Sequence, residues 1–262
     1  MRKILGRKKA ISEESWKYAA SHIEELVTRE ELMDETEKAV ENIKEVTRGK
    51  RVAFAWSGGK DSIVLADICK KAGVESCVFG HTDLEYPVFL KWCLEHLPEK
   101  CEVINTHQDL DWLAKHPDMI FPKGDKVSRW YTIVQRKACK EYYFKHDLEM
   151  LIVGRRTADG NVVGENGFLY KRSGEVVWAP LAQWSHELIF AYLHYCGLEI
   201  PPIYEWKDGY KCGTHPWPSR MGMESIEQGY REVYDIDPTI VINAAEKIES
   251  AREFLRRNNY AH

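Results

Sequence analysis

The chain has 262 residues, 44% hydrophobic and 30% charged, with a formal net charge of −4. That length and balance fit one large α/β domain, or a domain with appendages, in an ordinary globular protein. They exclude a global basic field that would demand nucleic acid, and no run of about 18 apolar residues is present to span a membrane. The seven cysteines (69, 77, 93, 101, 139, 196 and 212) are odd in number, scattered and without a C-x-x-C. That is the usage of reduced, cytoplasmic thiols rather than of a disulfide framework.

The N-terminus, Met1 to Lys9, is basic and lacks the apolar stretch of a signal peptide. It reads as a solvated, frayed end; a local nucleic-acid contact is the sharper alternative, which nothing else in the chain indicates. Residues 12–48 are charged with helical periodicity, and the spacing predicts helices over about 12–27 and 29–47. Thr28-Arg29-Glu30-Glu31 has the form of a capping box. These helices form an appendage that packs on the core or on a partner, a second copy or another subunit.

From Arg51 the sequence alternates in the βα manner. Strands are predicted at 51–56, about 75–80, 102–105 and 150–153, with helices at 61–72, 87–97 and 129–146. Gly73 ends the first of these helices, and Pro117, Pro122 and Gly124 mark a loop within 109–128. Apolar strands separated by helices predict an open, mostly parallel twisted sheet covered on both faces. Residues 155–175 read as a mobile glycine-containing loop ending in a hairpin, Phe168–Tyr170 against Val176–Trp178 around Ser173-Gly174. Ser185 caps a following helix, and a Pro-, Trp- and Gly-rich loop runs from Pro201 to Arg220. The tail from Pro238 is helical, with Val241, Ala244, Ala245, Ile248, Ala251 and Leu255 on one face. The expected division is 1–48, 49–220 and 221–262.

The chemistry concentrates at Ser57-Gly58-Gly59-Lys60-Asp61-Ser62, between the first strand and its helix. Backbone N–H groups and the positive end of a helix dipole at such a turn hold a phosphate. Gly58 and Gly59 allow close approach, Ser57 and Ser62 add hydroxyls, and Lys60 adds charge. An acid beside a phosphate, here Asp61, calls for a magnesium ion between them. The spacing is neither G-x-x-x-x-G-K-[ST] nor G-x-G-x-x-G. Ligands of open parallel sheets bind at the carboxyl ends of the strands. The second strand leads there to Thr82-Asp83, suited to a ribose or adenine or to a helix N-cap. The fourth leads to Gly154-Arg155-Arg156, suited to a triphosphate or leaving pyrophosphate, or to a surface basic pair.

The hexapeptide resembles the PP-loop of the adenine nucleotide α-hydrolase-like superfamily. In order behind it, Asp83, Gly154-Arg155-Arg156, Trp178-Ala179-Pro180-Leu181-Ala182-Gln183-Trp184 and Pro202-Ile203-Tyr204 with Gly209-Tyr210 are similar to the elements of its phosphoadenosine phosphosulfate (PAPS) reductase family. The resemblance covers residues 50–220 and implies that family's nucleotide-binding frame, with Arg220 as a contact to the nucleotide's phosphate. Iron–sulfur relatives carry Cys within R-W-C-T and a C-x-x-C after the Gly-Tyr. This chain has Tyr131 in Arg129-Trp130-Tyr131-Thr132 and a lone Cys212, so no iron–sulfur cluster is expected. Lys211-Cys212-Gly213-Thr214-His215 resembles the segment bearing the nucleophilic Cys of true reductases. In the family it lies at the extreme C-terminus, whereas here it lies about fifty residues before the end.

Three functions follow. The first is an enzyme using ATP and Mg²⁺ that adenylates an unidentified acceptor and releases pyrophosphate, with Lys60, Asp61, Arg155 and Arg156 as working groups and Asp61 as metal ligand. The second is a thiol-dependent reductase of PAPS or its unphosphorylated analogue through Cys212. The third is a nucleotide-binding partner subunit without turnover, its partner surface on the first 48 residues.

Overall fold

The computed structural model describes residues 1–260. An extended arm ends in a short 3-10 turn, Lys8–Ala10, and is followed by α1 (Glu13–Ser21), α2 (Ile23–Leu26) and α3 (Arg29–Thr47). The sequence predicts one helix over 12–27. It breaks instead at His22, whose φ of −116° and ψ of 27° leave the helical region. The break turns Ile23 and Leu26 into the core. The capping box is present: the Thr28 hydroxyl accepts from the Glu31 N–H at 3.2 Å, and the Glu31 carboxylate accepts from the Thr28 N–H at 3.0 Å.

The α/β part runs β1 (Val52–Trp56), α4 (Lys60–Lys71), β2 (Ser76–His81), α5 (Pro87–Glu95), β3 (Lys100–Asn105), α6 (Leu110–Lys115), α7 (Val127–Tyr131), α8 (Lys137–Lys145), β4 (Met150–Ile152), the hairpin β5 (Phe168–Tyr170) and β6 (Val176–Trp178), and α9 (His186–Cys196). The strands form a six-stranded sheet of order β3-β2-β1-β4-β6-β5, parallel except where β5 meets β6. β1 lies at the centre, with Phe54 opposite Cys77 on one side and Ile152 on the other. Side chains alternate across it. Ala53, with Val78 and Leu151, packs under Ala138, Tyr142 and Tyr143 of α8. Phe54 and Trp56 enter the larger cluster with Val64, Leu65 and Ile68 of α4. Both faces are therefore dry, as a parallel sheet requires.

Two stretches differ from the periodicity. The 109–128 region, expected as loop, contains α6, because the Asp109 carboxylate caps it by accepting from the Trp112 N–H at 2.7 Å. The helix expected over 129–146 widens to a π-type turn at Thr132–Arg136, between α7 and α8, keeping Val134 buried.

The C-terminal part is α10 (Gly209–Cys212), α11 (Ile226–Ile236), α12 (Pro238–Ala245) and α13 (Glu249–Arg257). The six tail residues predicted to share a face are all buried, although the helix is interrupted between α12 and α13. Tyr230 of α11 joins this layer to Phe121 and Trp217 of the preceding loops. The N-terminal helices pack on the core: Trp16, 1% exposed, sits edge-on to His186 at 4.6 Å and stacks on Tyr210 at 5.5 Å. Among the described residues no helix is long and apolar enough to cross a membrane.

Candidate functional site

Ser57-Gly58-Gly59 turns the chain from the carboxyl end of β1 into α4. Gly58 has φ +67°, and a Cβ on it would lie 2.4 Å from the Cys93 sulfur of α5. Only glycine fits both the backbone and the space. The Ser62 hydroxyl donates to the Gly59 carbonyl at 2.9 Å and accepts from the Ser57 N–H at 3.1 Å, so the two serines brace the turn. Within the described residues the N–H groups of Gly58, Gly59 and Asp61 donate to no protein acceptor. Three free donors at the positive end of a twelve-residue helix make a cradle for an anion.

Beneath the turn lies a charged cluster. Lys60 is 1% exposed, and its ammonium donates to both oxygens of Asp61 at 2.9 and 2.8 Å. Arg156 is fully buried; its guanidinium reaches Asp61 at 2.7 Å, Asp159 at 3.0 Å and the Trp184 carbonyl at 3.0 Å. Burial works against the Asp61 carboxylate, but Arg156 and Lys60 outweigh it and hold the carboxyl well below its usual range. His186 Nδ1 lies 3.1 Å from Arg156 Nη2, and burial, reinforced by that cation, pulls its imidazole down to about 3. His186 is therefore neutral at pH 7. Gly154 lets β4 approach the turn, since a Cβ there would stand 3.3 Å from the Asp61 carbonyl oxygen.

The predicted site residues divide. Ser57 to Ser62, Gly154 and Arg156 converge. Arg155 turns the other way, donating to the Tyr131 hydroxyl at 2.6 Å with its guanidinium 5.0 Å from that ring's centre. Thr82 is buried and donates to the Gln108 carbonyl at 2.7 Å, while Asp83 accepts from Asn105 at 2.5 Å. Arg220 is buried on Glu232 at 2.8 Å and the Lys207 carbonyl at 2.7 Å, bracing the Pro-rich loop against α11. Cys212 is buried, and burial pushes its thiol up from the ordinary value. Next to these, Glu85 is buried, and burial raises its carboxyl to about 8.

Other residues complete the site. The Tyr204 hydroxyl accepts from the Lys60 N–H at 2.9 Å, and a Cβ on Gly59 would lie 3.3 Å from the Thr214 methyl. The loop between Pro201 and Arg220 thus lies directly over the turn. The only advance signal was the position of Tyr204 in the Pro202-Ile203-Tyr204 element. Asp159 stands three residues beyond Arg156, a spacing that marks a shared anchor.

The Asp61 carboxylate is paired with Lys60 and Arg156, so a magnesium ion beside it would take most of its ligands from the nucleotide's phosphates and from water. Among the described residues no three His, Cys, Asp or Glu side chains gather as a metal site. A cavity of about 410 Å³ lies elsewhere, bounded by Phe54, Trp56, Lys70, Trp92, His96 and Lys100. Val74 and Lys100, which border it, precede β2 and begin β3, so it reaches the amino ends of those strands.

Comparison with known proteins supports the frame. The fold is similar to that of the phosphoadenylyl-sulfate (PAPS) reductase of Candida auris, solved as a phosphate complex, at TM-score 0.50 and 15% identity, over 76% of this chain and 94% of that one. It is also similar to the U34-tRNA thiolase NcsA of Methanococcus maripaludis, solved with its [4Fe-4S] cluster (TM-score 0.42, 14% identity, 99% and 85% covered). A third is the NH3-dependent NAD synthetase of Campylobacter jejuni subsp. jejuni, in complex with nitrate (0.44, 14%, 83% and 93%). No curated protein matches the chain. The family described as phosphoadenosine phosphosulfate reductase domain matches residues 51–236, which include the turn, its charged cluster and the covering loop. The chain belongs to the phosphoadenosine phosphosulfate reductase domain family, of the PP-loop type.

Proposed function

We propose that this protein binds ATP, or a closely related adenine nucleotide, with its phosphates on the Ser57–Ser62 turn, and adenylates an acceptor. The observation that carries the reading is the set of free N–H donors on Gly58, Gly59 and Asp61 at the start of α4. In the proposed step an acceptor oxygen forms a bond to the α-phosphorus. The bond from that phosphorus to the bridging oxygen breaks, pyrophosphate leaves with the electron pair, and the acceptor's proton passes to solvent. The chain contributes positioning and charge. The free donors and helix dipole meet the phosphates, and the cluster fixes Lys60 at their side. Arg156 acts through Asp61, which it holds in place, while Arg155 faces Tyr131 and is assigned no phosphate. A magnesium ion arriving with the nucleotide would supply charge neutralisation.

A reductase reading draws on one contact. Cys212 lies two residues from Thr214, whose methyl would stand 3.3 Å from a Cβ on Gly59. Its thiolate would attack the sulfur of PAPS, releasing adenosine bisphosphate and leaving a thiosulfonate, which an external dithiol such as thioredoxin reduces to sulfite. The upward push on the thiol disfavours it. The test runs both assays on one preparation. Pyrophosphate release from ATP and Mg²⁺ with candidate acceptors (oxyanions, nucleobases, flavin precursors), abolished in Lys60→Ala, supports adenylation. Sulfite from PAPS and thioredoxin, lost in Cys212→Ser, replaces it with the reductase. ATP binding without either product indicates a nucleotide-binding subunit.

A further inference from the structure

The basic N-terminus does not fray. It is tied down beside the loop that covers the turn, by contacts that its composition does not announce. The Ile4 and Leu5 N–H groups both donate to one oxygen of the fully buried Glu187, at 2.8 and 2.7 Å. The Arg2 N–H donates to the Leu26 carbonyl at 2.6 Å, and the Met1 ammonium pairs with Glu31. Ile11 is buried at the far end of the arm. The 3-10 turn Lys8–Ala10 packs on Thr157–Asp159, the segment that carries Asp159 to Arg156.

This path fixes where Lys8 points. A Cβ on Gly213 would stand 3.4 Å from the Lys8 ammonium, and the next residue, Thr214, covers Gly59. Lys8 and the phosphate-binding turn therefore flank the same two residues. The charge of Lys8 acts on Lys60, Asp61 and His215, and burial followed by this charge pulls the His215 imidazole down to about 4. Lys8 is partly buried, and its ammonium has no ion-pair or hydrogen-bond partner among the described residues. Arg7 and Lys9 are exposed. Lys8 adds a cation beside the Lys60, Arg156, Asp61 and Asp159 cluster, and an incoming anion would meet an ammonium that no carboxylate of the described residues pairs.

We propose that Lys8, delivered by the docked arm, is a phosphate-binding residue of the nucleotide site, clamping the phosphates from the side opposite the Gly58-Gly59 turn. The inference rests on the nucleotide reading above and names a residue outside the region matched by the family.

Titration calorimetry with ATP tests it. Lys8→Ala is expected to weaken binding roughly tenfold and to flatten its dependence on salt, as loss of a charge-assisted contact requires. Lys8→Arg restores most of the affinity, and Lys9→Ala, which removes the same charge one residue away, leaves it unchanged. Wild-type affinity in Lys8→Ala, a tighter complex, a loss that Arg does not restore, or an equal loss in Lys9→Ala overturns the assignment while leaving the turn as the site. If the wild-type protein binds no ATP, the nucleotide reading itself has failed and the role of Lys8 falls with it.

Discussion

Arg156→Ala is expected to cost about 3–5 kcal/mol of stability, because it strips a buried charge from two carboxylates at once. Arg156 is 0% exposed and is paired to both Asp61 and Asp159. Lys60 would remain on Asp61, but nothing among the described residues replaces the guanidinium at Asp159, one of whose oxygens already lacks a partner. Arg156→Lys should fall between, since a single ammonium cannot span Asp61, Asp159 and the Trp184 carbonyl together. Urea unfolding of the three proteins measures this. A loss below about 1 kcal/mol for the alanine variant would place the guanidinium in an environment far wetter than the one described here.

The second large effect depends on pH. Glu85 titrates near 8 when folded, against an ordinary value of 4.5. Between those values the folded protein holds a proton that the unfolded chain has released. Stability contributed by this group is therefore greatest in acid and falls as the pH rises toward 8, by up to about 1.4 kcal/mol per pH unit. Glu85→Gln keeps the shape and has no charge to bury. From pH 5 to pH 7 the wild-type protein should lose roughly 2 kcal/mol relative to this variant. Denaturation midpoints across that range decide it, and parallel profiles for the two proteins would contradict it. Comparing the pair cancels the other titrating groups, His186 among them.

Much of this arrangement was legible in the residues. The strands announced themselves because both faces of a parallel sheet are buried, so Val52–Trp56 and Met150–Ile152 read as unbroken apolar runs. The turn was legible because Gly58 must be glycine, and because Ser57 and Ser62 brace each other across five residues. The N-terminal capping box was legible because its four residues act locally. What escaped was set by distant partners. Nothing in Arg155-Arg156 tells which arginine goes inward; β4 geometry sends Arg156 to Asp61 and Arg155 to Tyr131. Nothing in Tyr204 marks its hydroxyl as the acceptor for the Lys60 N–H 144 residues earlier. The arm looked like a frayed end because its anchors are backbone groups, which no side-chain pattern records, held by Glu187 more than 180 residues away. The break at His22 and the π-type turn before α8 are likewise tertiary decisions, made by which side chains the core accepts.

If the free N–H groups at the start of α4 hold the nucleotide's phosphates, amide NMR during an ATP titration reads them one by one. The Gly58, Gly59 and Asp61 amide resonances are expected to move together and saturably, with inorganic pyrophosphate competing for the same shifts. Saturable shifts confined to Trp56, Trp92 and His96 around the 410 Å³ cavity, or no saturable shift anywhere, would contradict it.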